Sequence, residues 1–356
     1  MHTTQLICLL PKHNVQRDIA NKTVFAARNG FDGFKSIFDE VLKRDTLDRL
    51  FILKGGPGTG KSSIMKAVIK YANHTGIYAT EILCSSDPNS LDGVILMDGD
   101  RRVAIVDGTA PHVLDPKYPG AFDEIINLGD SFNLDHLRKY GEKIKDLTRH
   151  KSHHYKEAYA YLNLAGSVHA RMREKCAGCV DGEKLKKLLC EVLENHDISN
   201  PEAREVYYAS AFCKDGYRTP SSLENKKRNV VRLFGNGHTE YIVLGELYRM
   251  LNGYIEAYCK TPLTDRYTEA IYTENFAYFV AQGDNGINTT TILTTKLELD
   301  EENGIYNNLL ELARSEFSKA SEYHFALEDI YRYGMNFTHN EEIYAQLLVD
   351  IEGALG

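Results

Sequence analysis

Residues 51–66 read FILKGGPGTGKSSIMK. They fit G-x-x-x-x-G-K-[ST] with Gly55, Gly60, Lys61 and Ser62. Context carries more weight than the pattern. RLFILK (49–54) is a short apolar run of strand type, and Ile64, Met65, Val68, Ile69 and Ala72 recur at helical spacing after the glycines. Strand, glycine loop and helix therefore follow in the order that a phosphate-binding loop requires. Gly55, Gly56, Gly58 and Gly60 free the backbone to turn its N–H groups around an anion. The helix starting near Lys61 adds the positive end of its dipole. Lys61 is expected to reach the β and γ phosphates and Ser62 to bind Mg²⁺. Pro57 lies within the loop, and Thr59 and Ser63 are lesser phosphate contacts.

Such a loop requires a carboxylate at the end of an apolar strand to hold the metal's water shell. RRVAIVDGTAPH (101–112) supplies Val103 to Val106 as the strand and Asp107 at its end. The plainer reading of Asp107 is a turn residue before Gly108. Many ATPases place a water-activating Glu directly after this Asp; here the residue is Gly108. A base must come from elsewhere. CSSDPNSLDG (84–93) offers Asp87 and Asp92, and DGTAPHVLDP (107–116) offers Thr109, His112 and Asp115. Asp87 is taken as the acid facing the γ-phosphate, against the alternative of an Asx turn before Pro88.

A damaged echo of the loop follows at 232–247, RLFGNGHTEYIVLGEL. FAARNGFDGF (25–34) resembles YASAFCKDGY (208–217), and Gly56, Gly58, Lys61 and Ser62 fall on Gly235, Gly237, Glu240 and Tyr241. Cys84 falls on Cys259, Asp107 on Ala281 and His169 on His324. The spacing between matched residues shrinks along the chain, through 183, 179, 175, 174 and 155, as small deletions in one copy would make it. The expectation is an α/β fold: a P-loop NTPase with a mostly parallel sheet, duplicated, with a degenerate second copy. Each copy is followed by a helical segment. The boundaries are 1–130 and 131–200 for the first core and its helices, and 201–305 and 306–356 for the second. Glu240 would repel a nucleotide, and neither Tyr241 nor Ala281 can hold a metal's water. The bland alternative is an unrelated α/β unit.

FILKGGPGTGKSSIMK, CSSDPNSLDGVI (84–95) and VAIVDGTAPHVLDPKYPGAFDEIINLGD (103–130) resemble a bacterial family of tandem P-loop ATPase-like proteins, described as ATPases or nucleotide kinases. The resemblance implies a P-loop NTPase fold using ATP with Mg²⁺. Its second half often keeps its own P-loop, and this sequence departs there through Glu240 and Tyr241. The family label names no substrate.

The rest of the chain narrows the field. At 356 residues it has room for about two domains. A net charge of −8 argues against a broad nucleic-acid surface. No apolar run approaches the ~20 residues of a membrane span. MHTTQLICLLPKHN (1–14) reads as a strand or short helix rather than a signal peptide, and seven scattered cysteines suit a reducing, cytoplasmic setting. Residues 134–196 read as helices that flank the core or project as an arm. His150, His153 and His154 read as a solvated face, and Cys176 and Cys179 as ordinary thiols. Arg101, Arg102, Arg171 and Arg173 are candidate transition-state cations with surface charge as the default. Residues 281–304 lean towards hairpin or edge strands, and the last helix is capped by an Asn and ends in Gly.

The leading function is an ATP/Mg²⁺-dependent NTPase of regulatory or assembly type with one working site. It rests on Lys61, Ser62 and Asp107 and is completed by a protein partner or by the degenerate half. One rival is a nucleotide or small-molecule kinase with Asp87 as base; another is a non-catalytic nucleotide-dependent scaffold. An AAA-type ATPase is weaker, because the Asp-Glu pair is missing.

Overall fold

The computed structural model describes residues 21–194, 205–219, 229–251, 257–261, 264–273, 276–281 and 283–356. The strand or helix expected over 1–14, and the end of the helical stretch at 195–196, lie outside the described residues. In the first half, strand β1 (Lys22–Phe25) leads into a hairpin, β2 (Ala27–Gly30) and β3 (Gly33–Ser36), and helix α1 (Phe38–Leu42). Then come β4 (Arg49–Lys54), α2 (Lys61–Thr75), β5 (Tyr78–Leu83), β6 (Leu91–Asp98), β7 (Arg101–Asp107) and β8 (Asp123–Asn127). Helices α3 (Leu134–Lys139), α4 (Gly141–Ala177) and α5 (Gly182–Leu193) close this half. The second half runs β9 (Glu205–Tyr208), β10 (Ala211–Cys213), β11 (Gly216–Arg218), β12 (Asn229–Phe234), α6 (Thr239–Met250), β13 (Ala257–Thr261), β14 (Thr264–Tyr272), β15 (Phe276–Val280) and β16 (Ile287–Asn288). It ends in α7 (Asp300–Tyr333) and α8 (Phe337–Leu355).

Twelve strands form one sheet in the order β16-β12-β15-β14-β13-β9-β1-β5-β6-β7-β4-β8. Outward from the central β9/β1 pair, both arms repeat one order. The first strand is followed by the strand after the glycine-loop helix, then a two-strand meander, the loop's own strand and a short edge strand. At the junction Phe25 stands opposite Tyr208 in an antiparallel pair, both fully buried.

A mostly parallel sheet was expected, and the pairing corrects this. The pairs β1/β5, β4/β7, β4/β8, β9/β13, β12/β15 and β12/β16 are parallel. The pairs β5/β6, β6/β7, β13/β14, β14/β15 and β1/β9 are antiparallel. Short turns force the difference. Gly99 (φ 56°) and Asp100 are all that joins β6 to β7, and so short a link makes only a hairpin. Strand β6 is one of the elements that sequence reading passed over, and it is the one that makes the sheet mixed here.

Register refines the match between halves. Leu53 pairs with Asp107 and Leu233 with Val280, so Val280, not Ala281, stands in the place of Asp107. Phe25 pairs with Leu83 and Tyr208 with Lys260, which sets Cys259 against Ile82 rather than Cys84.

The long helices α4 and α7 pack antiparallel. Their buried residues step by fours and threes, as in a coiled coil: Ala158, Leu162, Ala165, His169, Met172 and Cys176 on α4, and Ala313, Phe317 and Ala320 on α7. His154 Nδ1 lies 2.6 Å from Glu316, Tyr155 and Tyr159 meet Phe317 edge-on, and Lys175 pairs with Glu302. His154 is thus an interface residue, whereas His153 faces solvent as expected.

Each helical segment rests on the opposite core. Leu188, Leu189 and Val192 of α5 join the cluster of Leu233, Val243 and Leu247. Tyr344, Leu347, Leu348, Ile351 and Leu355 of α8 join Phe51, Met65 and Val68. Each buried aliphatic residue contributes roughly 1.5–3 kcal/mol. Main-chain bonds repeat the exchange. Asn133 N donates to Gly334 O and Asn336 N to Ser131 O; Thr294 N donates to Cys179 O and Asp181 N to Ile292 O. The cap of α8 is Asn336, not the Asn340 that opens the expected helix NEEIYAQLLVDIEGALG (340–356), and residues 289–299 form a 3-10 turn and loop before α7 rather than strands. Among the described residues no helix is long and apolar enough to cross a membrane.

Candidate functional site

The loop between β4 and α2 is anchored at both ends. Lys54 Nζ donates to Gly108 O and Leu114 O, each at 2.8 Å, tying β4 to the chain beyond β7. Gly58 (φ 70°) and Gly60 (φ 92°) take left-handed turns that a side chain would strain. Gly60 is the N-cap of α2, fifteen residues long. Thr59 Oγ1 donates to Gly56 O at 2.9 Å. Lys61 arches back over the loop, and its ammonium donates to Gly56 O at 2.8 Å and Gly55 O at 3.0 Å. It stands 3.6 Å from Asp107 Oδ2. Ser62 Oγ accepts from Leu91 N at 3.1 Å, while Ser63 is exposed.

Asp107 ends β7 at the sheet edge facing the loop. Its Oδ1 accepts from Thr109 N (2.9 Å) and Thr109 Oγ1 (2.6 Å), which fixes the carboxylate. Packing closes the position of the missing Glu. A Cβ on Gly108 would lie 2.3 Å from Ile52 Cγ2 and 3.2 Å from Leu114 O.

Asp87 sits in the Asx turn that was its alternative reading, with Oδ1 accepting from Asn89 N at 3.3 Å and Asn89 Nδ2 at 3.2 Å. The acid brought beside Asp107 is Asp92, at the start of β6. Asp92 is buried, and its pKa is pushed up to about 6. Desolvation is the main cause, opposed by His112 and reinforced by the Asp107 charge. His112 Nε2 lies 3.7 Å from Asp92 Oδ1, and its ring stacks on Phe38 at 5.1 Å and Phe34 at 6.1 Å. An acid opening an apolar strand run, LDGVIL (91–96), was the signal available for Asp92. Asp115 lies beside Lys54 and is exposed. Arg101 and Arg102 reach Asp48 and Thr46 at the other end of β7, so neither points at the loop.

The rim of the loop comes from far along the chain. A Cβ on Gly58 would meet Glu328 O at 2.5 Å, and one on Gly56 would meet the Tyr331 ring at 3.0 Å. Asn340 Nδ2 donates to Thr59 O at 2.9 Å. The end of α7 and the start of α8 therefore lie on the first loop.

The corresponding loop in the second half, 235–238, is filled from within. Glu240 is buried, and its carboxylate accepts from Gly237 N at 3.0 Å and Thr239 Oγ1 at 3.2 Å. Thr239 and Thr289 hydroxyls meet at 2.7 Å, and Asn236 Oδ1 caps His238 N and Thr239 N. A Cβ on Gly235 would strike the Thr239 and Thr289 hydroxyls at 2.3 and 2.4 Å. His238 packs against His169 at 4.8 Å, and burial pushes both imidazoles down to about 4. Glu269 occupies the register position of Asp92, one residue before the pair that precedes Val280. Burial pushes it up to about 7, and Ser210 Oγ donates to it at 2.7 Å.

Cys176 and Cys179 are free thiols, with Cys176 buried beside Asn236. Comparison with protein-family models, with curated proteins and with solved structures found no match to this chain.

Proposed function

We propose that this chain is an ATP- and Mg²⁺-binding P-loop NTPase of regulatory or assembly type. In this reading it is a tandem duplication with one working site. The carrying observation is the contrast between equivalent loops: one closes a lysine over glycine carbonyls beside a strand-end aspartate, and the other closes a glutamate over its own N–H groups. The first loop is built to receive an anion. The second already holds one.

The residues present fit the group. Residues 56–62 would wrap the phosphates with N–H donors at a helix N-terminus. Lys61 would swing from carbonyls to phosphate oxygens. Ser62 and Asp107 would hold Mg²⁺, which supplies neutralisation of phosphate charge. The rim contributed by Tyr331, Glu328 and Asn340 gives ATP binding a path to the α4/α7 pair, which supports a switching role. A protein partner that reads those helices fits the same role.

Phosphoryl transfer to a nucleotide or small-molecule acceptor is the second reading. One observation favours it: Gly108 is packed too tightly for a water-activating Glu, and transfer to an acceptor needs none. A non-catalytic scaffold is the third. γ-Labelled ATP with purified protein separates them. Free phosphate supports the ATPase, label on an added acceptor supports the kinase, and intact bound ATP over hours supports the scaffold. Failure to retain ATP at all, with the protein folded, contradicts all three.

A further inference from the structure

We propose that Asp92, Asp107 and His112 form a binding site for a divalent transition-metal cation, distinct from the Ser62–Asp107 position assigned to Mg²⁺. The three come from the start of β6, the end of β7 and the loop beyond it, and one ligand atom from each lies within 4.8 Å of the others. Two carboxylates and an imidazole form a mixed oxygen–nitrogen set. Imidazole suits Mn²⁺, Fe²⁺, Co²⁺ or Zn²⁺, whereas Mg²⁺ prefers oxygen and water.

A second observation points to a ligand. Asp92 Oδ2 and His112 Nδ1 are both buried with no hydrogen-bond partner among the described residues. Their side chains are only 6% and 7% exposed. Buried polar atoms are nearly always satisfied, and the open Asp92 oxygen, on a carboxylate that lies against the Cys84 thiol and His112 Nε2, calls for a partner; His112 Nδ1, the ring's other nitrogen, is a separate orphan. The second half supplies the control. Glu269 stands where Asp92 does, but Val280 replaces Asp107, and the Ser210 hydroxyl satisfies the acid. With the second carboxylate gone, a protein donor takes over.

The local charge suits a cation. Asp92 and Asp107 offer two formal negative charges against the one positive charge of Lys61, which stands 3.6 Å from Asp107. Stacking against Phe34 and Phe38 restrains the imidazole, so little ring freedom is lost on binding. The site does not require the nucleotide reading and shares only Asp107 with it.

The test uses the full chain, stripped of metal and free of nucleotide. Mn²⁺ is titrated by electron paramagnetic resonance and Zn²⁺ by calorimetry. One site per chain is expected, weakened about tenfold or more in Asp92→Asn and in His112→Ala. Ser62→Ala is expected to weaken ATP–Mg²⁺ while leaving Mn²⁺ affinity unmoved, which separates this proposal from the nucleotide reading. Because a variant could misfold, the spin-echo spectrum of Mn²⁺ on the unmodified chain is recorded as well, and coupling to an imidazole nitrogen is expected. No binding of either ion, or bound Mn²⁺ without that coupling, overturns the proposal.

Discussion

Glu240→Ala is expected to damage the molecule, while Lys61→Ala is expected to leave it standing. Glu240 is buried, and its carboxylate takes hydrogen bonds from Gly237 N at 3.0 Å and Thr239 Oγ1 at 3.2 Å. Hydrogen bonds to a charged group are worth about 1.5–3 kcal/mol, and a donor left unpaired in the interior costs about 1–3 kcal/mol. Thr239 keeps a partner in Thr289, so the loss falls mainly on Gly237 and on the void. The sum is about 3 kcal/mol. Lys61 donates to Gly55 and Gly56, whose loop is partly open to solvent, so water can take over its carbonyls, and the remaining loss is the cation 3.6 Å from Asp107 Oδ2. Its removal should cost about 1–2 kcal/mol, less than that of Glu240. A chain of this size need not unfold in two states, so a local readout is required. Hydrogen exchange at residues 237–239 should accelerate about a hundredfold in Glu240→Ala, with a lower denaturation midpoint by circular dichroism. Residues 55–62 should be unaffected by that change. Unaltered exchange at 237–239 would refute the idea that the second loop is closed around its own anion.

Three further outcomes follow. Gly108→Ala places a Cβ 2.3 Å from Ile52 Cγ2 and should destabilise by about 2 kcal/mol in denaturant titration; a neutral result would reopen that position to a catalytic Glu. Glu269 titrates near 7 when folded against an ordinary 4.5, so its ionisation removes stability as pH rises through that window, by up to ~3 kcal/mol. The advantage of Glu269→Gln over the parent should therefore grow from pH 4.5 to pH 7 and then level off in thermal melts, and a constant gap would contradict the assignment. Asn340→Ala removes the donor to Thr59 O and should cost about 1 kcal/mol while weakening ATP binding several-fold; unchanged affinity would detach α8 from the site.

The sequence was most legible where the signal was local. The glycine loop, β4, α2 and Asp107 announce themselves in adjacent residues, and the structure places each in that order. Strand β6 was hidden because the turn residues of 84–90 drew its first residues into a loop reading, in which Asp92 was offered as a base but Asp87 was preferred. Glu240 was read as repulsive, but its bonds to Gly237 and Thr239 depend on how the loop folds over it. The likeness between the halves was read from drifting matches, and hydrogen-bond register moves the residue opposite to Asp107 in that match from Ala281 to Val280. The exchange of α5 and α8 between cores left no local trace. It depends on contacts between residues such as Leu348 and Met65, far apart in the chain.

The most direct measurement is calorimetric titration of the full chain with ATP and Mg²⁺, alongside Lys61→Ala. The account predicts one site per chain, lost in the variant while its circular dichroism spectrum stays unchanged. Two sites, or a single site indifferent to Lys61, would contradict it.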